Sequence, residues 1–168
     1  MRTITLDDIG GACSEGLQWF EQNFPNGGEY QVVLDALAKK NYIDWAQWLL
    51  SRFGHTDAVQ EIQDDLTSEA SIFFAGRINV KGNIKVKKYL FVGWEIECGE
   101  GIKCGRGIEC GEGIKCGRGI ECGEGIIVGA DFGIYVGLHV SISHKKDFAI
   151  VQCKEKPQNL LLGEWRRT

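Results

Sequence analysis

The chain has 168 residues, 43% hydrophobic and 25% charged, the balance of a folded globular protein and not of a disordered one. No run approaches the roughly 18 apolar residues of a membrane span. The N-terminus MRTITLDDIGGACSEG is acidic and polar where a secretion signal is basic and then apolar. A cytoplasmic setting with reduced thiols is therefore expected, and the odd count of 7 Cys fits it better than a disulfide framework does.

Charge is unevenly divided along the chain. Residues 1–71 carry 4 Lys+Arg against 12 Asp+Glu, and residues 72–168 carry 15 against 11, so a net of −8 precedes a net of +4. An acidic head of this kind repels nucleic acid and can dock on a basic partner or on the basic half of its own chain.

Residues 1–54 read as a three-helix unit. Ser14 is an N-cap residue followed by Leu17, Phe20 and Phe24 at helical spacing, and Phe24-Pro25-Asn26-Gly27-Gly28 stops that helix. A second helix spans about Glu29 to Lys40, with Val33, Leu34 and Leu37 on one stripe and Lys39 and Lys40 in the last turn, where cations suit the helix dipole. A third starts near Asp44, carries Trp45, Trp48 and Leu49 at helical spacing and closes at Gly54. Trp19, Trp45 and Trp48 are expected in the core of this unit. Residues 55–71 are acidic and weakly periodic, the pattern of a linker or short irregular element.

The remainder is a repeat. Residues 96–125 spell IECGEG, IKCGRG, IECGEG, IKCGRG and IECGEG. The frame extends back through Leu90, Ile84, Ile78 and Ile72 and forward through Ile126, Phe132 and Leu138, filling residues 72–143 with twelve hexads and no insertion. The third slot is apolar too, from Phe74, Val80, Val86 and Val92 through Cys98, Cys104, Cys110, Cys116 and Cys122 to Val128, Ile134 and Val140. An apolar-x-apolar triplet is a short strand with two side chains facing in and one out, and Gly-x-Gly turns a corner. Such units coil into a β-solenoid whose coils stack about 4.8 Å apart.

The charges set the length of the coil. Two hexads to a coil would stack Glu97 on Glu109 and Lys103 on Lys115. Three hexads stack Glu97 on Lys115, Glu100 on Arg118, Lys103 on Glu121 and Arg106 on Glu124. Unlike charges stabilise a ladder and like charges oppose it, so the 18-residue coil is predicted. The fold class is α+β: a small N-terminal three-helix unit followed by a single β-solenoid of about four triangular coils.

Six-residue units, three to a coil, resemble the hexapeptide-repeat left-handed β-helix of many acyltransferases. The stretch INVKGNIKVKKYLFVGWEIECGEG is similar to bactofilin-type polymer-forming β-helices. ACSEGLQWFEQNFP, together with DWAQWLL, resembles a module of small uncharacterised bacterial and phage proteins. The first resemblance implies acyl transfer with a His base, the second a self-assembling scaffold. The third implies a phage-encoded inhibitor that occludes a host defence complex, as an anti-CRISPR does.

Among chemical groups, the five repeat cysteines are spaced for stacking and not as the close pairs of a zinc site, so they are expected to pack as small hydrophobes with no metal and no cofactor. Only His55, His139 and His144 are available as bases, and an uninterrupted frame leaves no loop to build a pocket around them. The chain is therefore expected not to be an enzyme.

The outward slots sort into three faces. One stacks Phe73, Phe91, Glu109 and Ile127, with Trp94 at a corner, and such an apolar face needs a cover: the helical unit or a second subunit. A second, with Asn79, Glu97 and Lys115, is mixed and solvated. The third stacks Lys85 and Lys103 near Lys87, Lys88 and Arg106, a basic face predicted to bind a partner. An isoelectric point near 5.4 and the lack of interleaved aromatics favour a protein partner over nucleic acid. Residues 144–168 are expected to close the solenoid, with DFAIVQC as a last strand and KPQNLLLGEW as a lid. The reading is a non-enzymatic macromolecular interaction protein, monomer or homodimer, with an acyltransferase and a bactofilin-like scaffold as alternatives.

Overall fold

The computed structural model describes residues 2–168 and has the predicted α+β organisation, a helical unit followed by a β-solenoid. In the helical unit β1 (Thr3–Ile4) pairs antiparallel with β2 (Gly28–Glu29), tying the start of the chain to the loop after the first helix. That helix, α1, spans Ser14–Asn23. Its N-cap is Cys13 and not Ser14, the Sγ accepting the Gly16 N–H at 3.4 Å. α2 (Tyr30–Lys40) ends at Asn41, whose φ of 61° is the left-handed turn that releases a helix end, and α3 (Ile43–Phe53) ends at Gly54.

Phe20, Val33, Leu34, Leu37, Ala46 and Leu49 form the core of this unit. Trp19, Trp45 and Trp48 are only partly buried, which corrects their expected place in it. Where the helices approach each other the small Ala46 and the aliphatic stripe of α2 fill the space, and the bulkier indoles are displaced to the rim. No helix of the described residues is long and apolar enough to cross a membrane.

The solenoid is built of parallel rungs. The first three-sided coil is β3 (Val59–Ile62), β4 (Leu66–Ser68) and β5 (Ile72–Phe74), and the second is β6 (Arg77–Val80), β7 (Ile84–Val86) and β8 (Leu90–Val92). The third is β9 (Ile96–Cys98), β10 (Ile102–Cys104) and β11 (Ile108–Cys110), and the fourth is β12 (Ile114–Cys116), β13 (Ile120–Cys122) and β14 (Ile126–Val128). Two further rungs follow on two sides only: β15 (Ile134–Val136) with β16 (Ile150–Cys153), then β17 (Leu160–Leu162) with β18 (Glu164–Arg167). Two faces thus hold six strands each and the third holds four. The solenoid has about six turns where four were expected.

The extra turns lie at both ends. Residues 59–71, read as a linker, are the first coil, paired in unbroken register with the second: Gln60 beside Ile78, Ile62 beside Val80, Leu66 beside Ile84 and Ser68 beside Val86. Gln60 and Ser68 occupy inward slots that are apolar elsewhere, which hid the frame. Likewise the C-terminal segment is only in part a lid: Leu160 pairs beside Ile134 and Trp165 beside Val151, so its last residues add rungs.

The frame is also interrupted, contrary to expectation. After Val128 the chain takes two extra residues, so that Ile114 pairs with Ile134, and Phe132 is 41% exposed instead of inward. After Val136 a longer excursion holds a 3-10 turn (Ile142–His144) and the short α4 (Lys145–Phe148) before Val151 pairs with Ile120. Leu138, expected inward at the head of the last hexad, is 47% exposed on it.

Inside, columns of aliphatic side chains run the length of the prism, for example Ile78, Ile96, Ile114 and Ile134, all 0% exposed. Each such residue contributes about 1.5 to 3 kcal/mol by burial. The corners set how closely the coils approach: a Cβ on Gly117 would lie 1.8 Å from the Gly99 carbonyl oxygen, whereas at Gly125 the nearest atom is 3.9 Å away. Gly117→Ala is therefore expected to destabilise the protein by about 2 kcal/mol or more. Gly125→Ala is expected to be near neutral, the pair being compared by thermal unfolding.

Candidate interaction surfaces

All four predicted charge pairs form across adjacent coils: Lys115 Nζ to Glu97 at 3.1 Å, Arg118 to Glu100 at 2.8 Å, Lys103 to Glu121 at 3.0 Å and Arg106 to Glu124 at 3.0 Å. The ladder continues into the first coil, where Lys85 meets Asp65 at 3.0 Å and Lys87 meets Glu69 at 2.6 Å. Of the five residues of the predicted basic face, Lys85, Lys87, Lys103 and Arg106 are thus each matched by a carboxylate, and Lys88 alone makes no ion pair among the described residues. The expected positive patch is electrostatically compensated, because the acidic residues read as linker are the rung beside Lys85 and Lys87, and Glu121 and Glu124 of the next coil lie beside Lys103 and Arg106. Asp65 is the most strongly held of these carboxylates. The Asn83 backbone N–H at 2.7 Å, then Lys85 and the Asn83 side chain, bring its pKa down to about 2.

Glu95 escaped the sequence reading. It replaces glycine at a corner, is 7% exposed and bridges Arg77 at 3.3 Å and Lys115 at 2.6 Å. The break in the Gly-x-Gly pattern was its signal. Arg77 also lies 4.5 Å over the Trp94 ring, whose edge meets His55.

The aromatic face is covered by the helical unit over part of its length. Phe73 and Phe91 stack with ring centroids 5.2 Å apart and are 1% and 3% exposed, inside the same cluster as the helical core. Gln31 of α2 fixes this docking: its carboxamide accepts the Ala75 N–H at 3.0 Å and donates to the Phe73 carbonyl at 2.8 Å. The side chain thereby occupies the free backbone edge of β5, as a further strand would. Gln47 of α3 reaches Glu109 at 2.6 Å, and the cover ends there, leaving Ile127 63% exposed. Ile127 borders a cavity of about 800 Å³ between the helical unit and residues 154–159. That segment crosses the end of the same face. Its Lys154 N–H bonds to the Glu124 carbonyl, its Asn159 amide reaches Gly129 and Ala130, and buried Pro157 lies between them.

The cysteines have a structural role written in hydrogen bonds. Cys104, Cys110 and Cys116 each donate the thiol to a corner carbonyl of the coil before, at Lys88 (2.9 Å), Trp94 (2.7 Å) and Glu100 (3.1 Å), and Cys98 does so to Gly82 (3.3 Å). Each of these carbonyls also accepts a backbone N–H from the next coil, so the thiol adds a second bond that a valine in the same slot could not make. Burial pushes the Cys104 thiol up to about 11 and that of Cys110 up to about 12, so both are protonated and poorly nucleophilic at neutral pH. Among the described residues no three His, Cys, Asp or Glu side chains come together as metal ligands. His139 Nδ1 bonds to the Gly99 carbonyl at 2.8 Å, and His144 Nδ1 contacts Ser141 Oγ at 2.9 Å on the exposed excursion.

The two ends of the solenoid differ in charge. At the N-terminal end β3 and β4 each have a strand neighbour on one side only, and Ile62, Leu66, Ile72 and Phe74 of the inner ring are partly exposed. Residues 55–71 around it contain five acidic residues and no Lys or Arg. At the other end β17 and β18 are the edges, with Leu160 and Trp165 partly exposed, and residues 154–167 carry Lys154, Lys156, Arg166 and Arg167 against Glu155 and Glu164.

A protein-family model described as the YdhT N-terminal domain matches residues 2–56, the helical unit with its leading strand, and the solenoid lies outside that match. No curated protein and no solved structure matches the chain.

Two outcomes are expected. With six of the seven thiols buried, Ellman's reagent should titrate Cys13 rapidly in the native protein and the other six only after denaturation. Because the Asp65 pKa is depressed, the stability it confers is present above about pH 4 and lost as the pH falls through about 2. The difference in melting temperature between the wild type and Asp65→Asn should therefore shrink over that window.

Proposed function

We propose that this chain is a non-enzymatic interaction protein of the scaffold type, a stiff rod that associates end to end with further copies and carries its helical unit on one flank. The observation that carries this reading is the match between its two ends. On two faces the strand edges are open at both ends, β3 and β4 at one and β17 and β18 at the other. On the third face both ends are covered, by Gln31 at β5 and by residues 154–159 beside β14. The open edges therefore coincide in number and position.

Charge supplies direction. An acidic end opposes another acidic end and a basic end another basic end, but acidic meets basic favourably, and edge charges that block like-to-like pairing promote the head-to-tail contact. Such a contact is heterologous and propagates instead of closing. Asp57, Glu61 and Asp64 at one end, and Lys154, Lys156 and Arg167 at the other, make no ion pair among the described residues and are available for it. The bactofilin-like alternative belongs to the same reading. A protein partner is favoured over nucleic acid because the basic face is compensated by its own ladder.

Light scattering tests the proposal. Mean mass should rise with protein concentration, fall in high salt, and fall again in a variant with Asp57, Glu61 and Asp64 changed to Lys. Mixing that variant with one carrying Glu at Lys154, Lys156 and Arg167 should restore mixed assemblies. A monomer at every concentration and salt would overturn end-to-end assembly. It would leave the occlusion of a host defence complex as the interaction to pursue, by capture of that complex on the immobilised protein.

A further inference from the structure

The helical unit contains a second, smaller cavity of about 390 Å³, lined entirely by residues within 2–56. Its floor is apolar, made by Phe20 of α1 and by Val33 and Leu37 of α2. Its walls are the three indoles displaced from the core, Trp19, Trp45 and Trp48. Large aromatic surface left half-exposed around a concavity costs free energy unless something fills it, and concave, mostly apolar sites with one or two polar groups are the usual form of small-molecule sites.

Two glycines hold the cavity open. A Cβ on Gly16 would stand 3.4 Å from the Cys13 Sγ and 3.8 Å from the Trp45 ring, and one on Gly11 would stand 3.8 Å from Trp48, so larger side chains there would grow into the space without a backbone clash. Neither glycine has a positive φ, so no turn geometry demands it.

Polarity defines the ligand. Of the lining residues only Asp44 is charged, and it is exposed at the first turn of α3 with no ion-pair partner among the described residues. Aromatic faces, indole above all, attract cations, and this unit already places the Arg52 guanidinium 5.5 Å over Trp48 and that of Arg2 4.4 Å over Phe53. We propose that this cavity binds a small organic ammonium ion with an apolar body, the body seated among the indoles and the charge directed to Asp44. The proposal concerns the helical unit alone and stands apart from end-to-end assembly.

Three probes of similar size test it on the full chain: benzyltrimethylammonium, benzyl alcohol and phenylacetate, each titrated against tryptophan fluorescence excited away from the probes' own absorption. The cation should give saturable quenching, the alcohol a weaker response and the anion none, and the cation should slow alkylation of Cys13 at the rim. Asp44→Asn should weaken the cation by about fivefold while leaving the alcohol unchanged. Gly16→Leu should abolish binding of both with the melting temperature kept or raised, since leucine favours a helix more than glycine does. No saturable response in the wild type, equal response to cation and anion, or undiminished binding in a folded Gly16→Leu variant would each overturn the proposal.

Discussion

The structure depends on the close approach of one coil to the next. Strand pairing fixes the rise per coil, and the corners must follow at the same spacing, which brings the backbone of one corner against the carbonyls of the one before. At Gly117 the space left is smaller than a methyl group. Every other regularity follows from that approach: aliphatic columns without gaps, charges one coil apart within ion-pair distance, and thiols near enough to corner carbonyls to donate to them. The Ile-x-Cys triplet is a solution to this geometry, with isoleucine filling volume and cysteine supplying both volume and a donor.

Regular stacking creates the problem of its ends, which the chain treats unequally. On the aromatic face α2 presents a glutamine to the first strand edge, and a proline-containing segment crosses the last one. Proline has no N–H to offer a ladder and so halts it. On the other two faces the ends carry charges of opposite sign and no strand among the described residues covers them. The helical unit is thus both a cover for Phe73 and Phe91 and an obstacle that leaves two faces for lengthwise contact. The indole-walled cavity in that unit lies on surface that the docking does not use.

Much of the architecture was legible in the chain because its signals are local or periodic. The hexad frame gave the strands, and alternation of Glu with Lys or Arg gave the 18-residue coil through a comparison of like and unlike neighbours. Helix boundaries came within a residue or two from breakers such as Pro25 and Gly54. The first coil was missed because Gln60 and Ser68 stand in apolar slots. End coils touch core on one side only, so polar residues are tolerated there and the pattern weakens where the solenoid stops. The slip after Val128 was hidden for the opposite reason: Phe132 and Leu138 fit the frame by character, and both are exposed in the fold.

The sequence by itself determined the repeat, the coil length and the inward and outward assignment, since these rest on side-chain chemistry at fixed spacing. Only the tertiary structure decided that Lys85 and Lys87 are neutralised by an acidic first coil, that Glu95 is buried between two cations, and that three tryptophans rim a cavity instead of filling a core. These depend on which surfaces meet across long separations in the chain. Such meetings are set by packing volume and by the free strand edges left over, and neither leaves a period to read.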